Sequence, residues 1–408
     1  MIRISMTCLR RLAIVSIGVA AIQAGAVAQQ AADPDAAYVA KFLEKYKEVT
    51  PQPDIATYAA VKRYDELYMG DELRKTIETQ SNNDQSALAW GLCYRMRSLN
   101  TMYRATHDPK YLRANLDAAR AVVAMRDDKR GKKLWTGEVA KAWGCDLYAT
   151  ERGRAVFTVH TGMIAHVILD CLVLTRDCRE VREELGAEFG QMLSAVEEAI
   201  AFHDSEWRDG PEKGEGHYIS LNQEPPCDNK PQPGNRQSAM GCALWSAWKL
   251  THNPLYRDRA KALARYMQRR FTPSPDGAYY WSYWLPELPV TEPAPKESIS
   301  GEDSSHGSLT LLFPMVLAED RVVFKKKTMK GFANTVLKGL GRREDGIFFG
   351  DVTGNPSSSP DYVASPAFWL PLSRYDQEVR KRVETFYLKY VATPPPCDLA
   401  DLVLYCAK

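Results

Sequence analysis

A six-residue phrase that occurs twice constrains the fold of this chain more than any other feature of its sequence. Residues 106–111 read THDPKY and residues 251–256 read THNPLY, each after a long apolar stretch and before an amphipathic one. Asp or Asn followed by proline marks the start of a helix, because the cap side chain accepts hydrogen bonds from free backbone N–H groups and proline suits the first turn. Each copy is therefore predicted to be the hinge of a helical hairpin, with a buried first helix and a one-sided surface helix second.

Weaker echoes of this phrase lie at residues 174–177 and 317–320. The mean spacing of the four hinges is about 71 residues, which predicts five to six hairpins, with residues 36–80 and 362–390 as the first and last. Repeated hairpins stack into an open superhelix or close into a ring. The first helices are apolar nearly all round and carry isolated polar residues near one end. This pattern favours an all-α fold, an (α/α) toroid formed as one domain by residues 29–408.

Residues 1–28 have the pattern of a secretory signal peptide. They combine an arginine-bearing start, an apolar run at residues 12–21 and the small-residue site Ala26-Val27-Ala28. The apolar run is too short to remain in a bilayer, so we predict export to the periplasm or beyond the cell, with no stable membrane insertion. Without these residues the chain has 50 basic and 51 acidic side chains, and a nearly neutral chain is not expected to bind nucleic acid. The oligomeric state is unknown from the sequence.

Eight cysteines follow Cys8 in the chain. An even number in an oxidising compartment predicts disulfides. Cys397 and Cys406 are the predicted local pair, in a tail that the prolines at 394–396 are expected to keep from being helical. The chain has no CxxC or CxxH spacing of the kind that holds structural zinc. We therefore predict no metal site and no cofactor.

Three segments break the helical pattern, at residues 215–237, 277–308 and 346–360. Long loops within a compact domain are usually functional, and these are expected to be ordered and to gather at one rim of the toroid. The second opens with five aromatic residues in six positions, 279–284. In a strand, Tyr279, Trp281 and Tyr283 would face one way and the others the opposite way. Aromatic faces suit sugar rings, so Trp281 and Trp284 are predicted to bind substrate; the alternative is core packing.

The same segment ends with Glu302, Asp303 and His306 before an apolar helix. Acidic residues at a helix start commonly serve as caps and dipole partners, which is the structural interpretation. His306 lies one turn further on and is expected to face the same mouth. An imidazole beside carboxylates is held in one tautomer and suits proton transfer, so His306 is a candidate catalytic residue and both acids are candidate substrate-binding residues.

His160 is a second candidate catalytic residue, within the apolar first helix of the third hairpin. A lone histidine on such a helix is often a satisfied core residue, which is the alternative interpretation. Against that, His160 is expected near the end where the loops gather. The chain has no G-x-S-x-G elbow, no phosphate-binding glycine loop and no H-E-x-x-H motif, so the usual nucleophile and zinc-protease chemistries are not indicated.

Taken together, the signal peptide, the repeated hairpins, the aromatic segment and the sequence GEDSSHGS at residues 301–308 resemble the (α/α)-toroid polysaccharide lyases and related uronate-processing enzymes. No family motif aligns residue by residue. The resemblance implies β-elimination on a uronic-acid polysaccharide, with alginate or glucuronan-like chains among the candidates. An acidic polysaccharide or oligosaccharide is accordingly the expected partner.

The chemistry of β-elimination specifies the groups that such a site must contain. The C5 proton of a uronate is too weakly acidic to remove until donors or arginine neutralise the adjacent carboxylate; a base then takes the proton and an acid protonates the leaving oxygen. The candidate neutralising residues are Asn222, Asn235 and Arg236. The candidate base is His160 or His306, and Tyr283 is a candidate base or acid.

Two other functions remain open at the level of sequence. A glycoside hydrolase would need two carboxyl groups about 5–9.5 Å apart across the sugar, for which Glu302 or Asp303 and Asp351 or Glu224 are candidates. A non-catalytic glycan-binding or scaffold protein would use the aromatic rings for binding while the histidines pack in the core.

Overall fold

The computed structural model describes residues 33–50, 53–148, 152–221 and 229–407. Its α-helices are α1 (Ala36–Lys45), α2 (Ile55–Tyr58), α3 (Val61–Tyr68), α4 (Asp71–Gln80), α5 (Cys93–Thr106), α6 (Pro109–Ala124), α7 (Asp127–Arg130), α8 (Thr158–Asp177), α9 (Arg179–Leu185), α10 (Glu188–Ala201), α11 (Gly234–Thr251), α12 (Pro254–Gln268), α13 (Ser304–Glu319), α14 (Lys326–Thr335), α15 (Gln377–Tyr390) and α16 (Pro396–Cys406). Two short antiparallel pairs join β1 (Trp207–Asp209) to β2 (Gly216–Tyr218) and β3 (Thr272–Pro273) to β4 (Tyr279–Tyr280). The π-helical turn Leu88–Leu92 leads into α5, and Pro366–Arg374 is a 3-10 helix.

Six inner elements form a closed ring. In chain order, α5 packs against α8, α8 against α11 and α11 against α13. The ring continues from α13 through the 3-10 helix Pro366–Arg374 to α16, and α16 packs back against α5. Outer helices α6, α10, α12, α14 and α15 cover this ring. The predicted all-α toroid is confirmed, and the inner elements number six in the described part of the chain.

The repeated phrase forms the same hinge in both copies. His107 and His252 end α5 and α11 in the left-handed conformation, with φ of 56° and 54°. Asp108 then caps α6 by accepting from the backbone N–H of Lys110 at 3.0 Å, and Asn253 caps α12 through Leu255 at 3.0 Å. The hairpin interpretation of the phrase is therefore confirmed, including its cap and its proline at the first turn.

Segments from the early and late parts of the described chain close the ring together, which differs from the predicted first and last hairpins. The described residues of 36–80 form four short helices, and residues 362–390 contain the inner 3-10 helix and the outer α15. The last inner helix, α16, is covered by α2 and α3 from the start of the chain. Tyr58, at the end of α2, donates a hydrogen bond to the Val391 carbonyl. A ring needs its first and last helices to meet, so its final hairpin is assembled from segments distant in sequence.

The predicted Cys397–Cys406 disulfide is wrong. Both residues lie on α16, nine positions apart, which is about 13 Å of helical rise; a disulfide needs Cα atoms within about 7 Å. Pro395 and Pro396 do not prevent the helix, because a proline in the first turn lacks only an N–H that would be unpaired there. The seven cysteines in the described segments are all free, and Cys227 lies outside them.

Helix α8 is long and apolar enough to cross a membrane, but 78% of its most apolar window is buried inside the protein. Its surroundings account for that composition, because α5, α10 and α11 pack against it. Gly162 allows the close approach of α11: a Cβ atom there would lie 2.5 Å from the backbone carbon of Ala239. Gly162, two residues after His160, thus serves helix packing.

Candidate active site

A cavity of about 700 Å³ lies where the inner helices begin. Helices α5, α8, α11 and α13 all reach it with their first turns or with the residues just before them. The positive ends of four helix dipoles therefore point toward one space. The lining residues are Trp90, Tyr94, Leu147, Tyr148, Phe157, Val159, His160, Asn235, Arg236, Tyr283, Ser305, His306 and Leu309.

The cavity brings together five candidate residues from four positions spread between residues 160 and 306. All three candidate catalytic residues, His160, Tyr283 and His306, line it. So do the candidate carboxylate-neutralising residues Asn235 and Arg236. The closed ring explains this convergence, since it arranges the starts of successive inner helices around a common axis.

His306 is held by Asp303, the N-cap of α13. The Asp303 carboxylate accepts from the His306 backbone N–H at 3.1 Å and lies 2.6 Å from its ring Nδ1. Burial alone would raise the pKa of Asp303, but hydrogen bonds from His306 and Ser305 outweigh it and lower that pKa. An ionised Asp303 is an acceptor, so the neutral imidazole carries its proton on Nδ1. The nitrogen left for proton transfer is Nε2.

His160 occupies a different environment across the cavity. Only 1% of the residue is exposed, and the rings of Trp90, Phe157 and Tyr148 surround it with centroids 5.3, 5.3 and 5.8 Å away. Burial, aided by the positive charge of Arg236, lowers the pKa of His160 to about 3. His160 is therefore neutral at every pH at which an ordinary histidine titrates.

Arg236 is supported by buried polar side chains behind the cavity wall. Its Nη1 donates to Gln232 Oε1 at 3.3 Å, and Gln232 Nε2 donates to Thr158 Oγ1 at 3.2 Å. The Thr158 hydroxyl donates in turn to Glu206 at 2.7 Å. Asn235 Oδ1 accepts from the Arg236 backbone N–H at 2.9 Å. These contacts connect the cation to the first turn of α8, the helix that carries His160.

The aromatic segment does not alternate as a strand beyond β4. Tyr280 and Trp281 are consecutive residues and both are fully buried, whereas a half-buried strand would expose one of them. Trp281 packs edge-on against Phe271 and Phe332. Trp281 is thus a core residue, which corrects its prediction as a substrate-binding residue. Tyr283 reaches the cavity, where its ring meets His306 edge-on with centroids 5.1 Å apart. Trp284 is 43% exposed and contacts the Tyr283 ring outside the cavity lining.

Glu302 also lies beneath the cavity surface instead of lining it. One of its oxygens accepts from Trp281 Nε1 at 2.5 Å, and burial raises its pKa well above the ordinary range. The prediction that Glu302 binds substrate is therefore corrected. Glu302 lies under α13 and supports the cavity wall without lining the cavity. Asp303 acts through His306, and Asp351 is occupied by Thr353 and Asn355 backbone N–H groups at 2.8 and 3.2 Å. No carboxylate lies among the described lining residues.

Two of the predicted residues lie outside the described part of the chain, and several lining residues were not predicted from the sequence. Asn222 and Glu224 lie outside the described residues. Trp90 and Tyr94 were not predicted, although they stand at the start of an inner helix as His160 does, and that position was the available signal. Tyr148 lies in an irregular segment and had no such signal. Among the described residues, no group of three His, Cys, Asp or Glu side chains is placed to hold a metal ion.

No protein-family model and no curated protein matches the chain. Solved structures similar to it include an inactive variant of the alpha-1,6-mannanase GH76A of Salegentibacter sp. HEL1_6 with alpha-1,6-mannotriose (10% identity, 86% of this chain and 97% of that one, TM-score 0.47). An unsaturated glucuronyl hydrolase specific for heparin (11%, 86% and 97%, 0.49) and a D-mannose isomerase (15%, 72% and 73%, 0.40) are also similar. The resemblance noted from the sequence is one of fold, and the ring itself rests on the helix contacts described above.

Proposed function

We propose that this protein is an exported polysaccharide lyase that cleaves a uronic-acid-containing glycan by β-elimination. The observation that carries the proposal is the composition of the cavity. An imidazole held by a carboxylate, a tyrosine edge-on to it, an arginine and an asparagine share one space, with no carboxylate in its described lining. These are the groups that elimination requires, and a hydrolase with paired carboxyl groups requires others.

Each cavity residue has a separate role in the proposed reaction. Arg236 and Asn235 neutralise the uronate carboxylate, which acidifies the neighbouring C5–H bond. His306 Nε2 takes the C5 proton, the electron pair of that bond forms the C4=C5 double bond, and the C4–O bond breaks. Tyr283 gives its phenolic proton to the leaving oxygen. The proton on His306 then returns to Tyr283, so the reaction neither consumes nor releases water.

The surroundings of the cavity favour an anionic glycan over a neutral one. Arg236 is the cation in the described lining, and the N-termini of α5, α8 and α11 add partial positive charge to the same space, while the Asp303 cap offsets that of α13. Trp90, Tyr94 and Tyr148 supply aromatic faces, which suit the apolar C–H faces of sugar rings. An acidic polysaccharide or oligosaccharide is therefore the proposed substrate.

The test is the ultraviolet absorbance of an unsaturated uronate, measured with the purified protein on alginate, glucuronan and other acidic polysaccharides. Neutral mannan serves as the control. We expect a new chromophore together with new reducing ends on at least one acidic polymer and no change on mannan. Reducing ends without the chromophore would show hydrolysis instead, and binding without either product would show a glycan-binding protein.

Export is part of the proposal and is tested separately. The full chain, produced in a Gram-negative host, is expected in the periplasm or medium with a mature N-terminus at Gln29. Recovery of an unprocessed cytoplasmic chain that begins at Met1 would contradict it.

A further inference from the structure

We infer that the two cavity histidines are held in opposite tautomers, His306 by Asp303 and His160 by Asn83, so that one accepts the substrate proton and the other donates to the substrate carboxylate. This inference rests on the proposed function for the roles of the two rings. The tautomers themselves follow from hydrogen bonds and do not depend on the reaction.

Asn83 has its amide orientation determined by two backbone groups. Its Oδ1 accepts from the Ala89 N–H at 3.3 Å, and its Nδ2 donates to the Trp143 carbonyl at 3.1 Å. The amide nitrogen therefore faces His160, and it lies 3.1 Å from ring Nδ1. Because an amide N–H₂ group has only donors, His160 Nδ1 must be the acceptor.

The proton of the neutral His160 ring is consequently on Nε2. That nitrogen makes no hydrogen bond within the described part of the chain, and the residue lines the cavity. The Arg236 charge acts on the same ring and opposes its protonation. His160 thus offers one N–H to a ligand and has no lone pair on that side with which to accept a proton.

Asp303 imposes the opposite arrangement on His306. An ionised carboxylate has only acceptors, so the proton of the neutral ring lies on Nδ1 and the lone pair on Nε2. The cavity therefore presents an Nε2–H donor from His160 and an Nε2 acceptor from His306. With Arg236 and Asn235, the His160 donor completes a half of the cavity suited to a carboxylate, while His306 and Tyr283 form the proton-transfer half.

Asn83 and Asp303 are positioning residues in this scheme, since each acts through a histidine. Asn83 lies outside the predicted hairpins and loops, and no pattern in the sequence distinguishes it. It directs the proton of the neutral His160 ring to Nε2, so that an imidazole that would otherwise be a second candidate base acts as a donor. This assigns the base to His306, a choice that the sequence left open.

The direct experiment is nitrogen NMR of the full mature protein with ¹⁵N-labelled histidine, at about pH 8.5, where ordinary imidazoles are neutral. The variants His160→Ala and His306→Ala assign the two rings by loss of signal. We expect the Nε2–H pattern for His160 and the Nδ1–H pattern for His306. The same tautomer in both rings, or the reverse assignment, would overturn the inference.

The variant Asn83→Asp gives a second readout, because a carboxylate in place of the amide accepts a hydrogen bond from a protonated Nδ1 and leaves the lone pair of the neutral ring on Nε2. We expect His160 to change to the Nδ1–H pattern and kcat on the acidic polymer to fall about 100-fold, the usual effect of removing one preorganised donor, with KM changed less. Asn334→Asp on α14 introduces the same charge outside the cavity and is expected to leave kcat unchanged.

An unaltered His160 signal in a folded Asn83→Asp protein, or an altered signal with full kcat, would contradict the inference. If the wild-type tautomers are as expected but no polymer yields the chromophore, the proposed function fails while the assignment of the tautomers stands.

Discussion

The two ends of the ring interior differ in how their polar groups are used. At the end where the inner helices begin, His160, Asn235 and His306 present polar groups to an open cavity. Deeper along the same helices, Arg104 on α5 and Asp170 on α8 form a close ion pair, and Asn100 also donates to Asp170 at 2.9 Å. Groups that satisfy one another serve stability, whereas groups left facing a cavity are available to a ligand. The position of a residue along an inner helix therefore separates its two uses.

The largest effect is expected at the cavity end. His306→Ala removes the proposed base and is expected to lower kcat about 10³- to 10⁴-fold, with little change in the melting temperature because the side chain is partly exposed. Measured rates of chromophore formation and a thermal unfolding curve check this. His252→Asn changes a histidine at the hinge end and retains a residue that tolerates a positive φ, so its activity should equal wild type. Comparable losses of kcat in His306→Ala and His252→Asn would contradict the proposed difference between the two ends.

At the end of the inner helices away from the cavity, Asp170→Asn is expected to lower the free energy of unfolding and to leave kcat unchanged. Burial would raise the pKa of Asp170, but the nearby Arg104 outweighs it and lowers that pKa. The ion pair therefore stabilises the fold above the ordinary carboxyl range, and the benefit disappears as the pH falls through the lowered pKa. We expect a loss of about 2 kcal/mol at pH 7, reduced from the value for a fully buried pair because Arg104 is partly exposed.

Denaturant unfolding of both proteins at pH 7 and in acid measures that difference. A loss that stays constant down to about pH 3 would show that the charge of Asp170 is not its source. Loss of kcat at unchanged stability would instead place Asp170 in the catalytic machinery.

A buried carboxyl group of the opposite kind stands at the first turn of α16. Burial raises the pKa of Asp398 to about 7, and Tyr387 donates to it at 2.6 Å. In the unfolded chain an aspartate has a pKa of about 3.9. The contribution of the protonated Asp398 to stability is therefore fully present below that pH and is lost as the pH rises toward 7. Asp398→Asn keeps a neutral acceptor for Tyr387. We expect it to raise the melting temperature by about 2 °C or more at pH 8 and to have little effect at pH 4; a lower melting temperature at pH 8 would contradict this.

The smallest effect is expected just outside the cavity, at Trp284. This exposed ring is positioned beside Tyr283 and is a candidate to stack on a sugar beyond the reacting one. Trp284→Ala is expected to raise KM about three- to fivefold, the loss of roughly 1 kcal/mol of stacking, with kcat unchanged. Trp248→Ala, near the hinge end of α11, is the matched control. Equal KM values for Trp284→Ala and wild type on a long polymer would exclude that contact.

Much of the architecture could be predicted because it depends on local signals. The hinge at Thr106-His107-Asp108-Pro109 uses a cap, a proline and a left-handed residue that all lie within four positions, and the second copy repeats them. The inner helices were recognisable since a helix packed on several sides must be apolar on several sides. The aromatic segment was less predictable. Whether Trp281 faces a sugar or the core depends on Phe271 and Phe332, which no pattern within the segment reveals.

The sequence by itself determined that the chain forms helical hairpins of regular length and that polar residues stand at the starts of their buried helices, because caps and periodicity act over a few residues. Only the tertiary structure decided that the ring closes through α16 and α5, that His160, Tyr283 and His306 share one cavity, and that Trp281 and Glu302 lie beneath it. It also decided the difference between the two histidines. The proton positions of His160 and His306 depend on Asn83 and Asp303, respectively. Asn83 lies 77 residues from its histidine and Asp303 lies three residues from its own. The nitrogen that carries the proton is therefore determined by contact in space and not by distance along the chain.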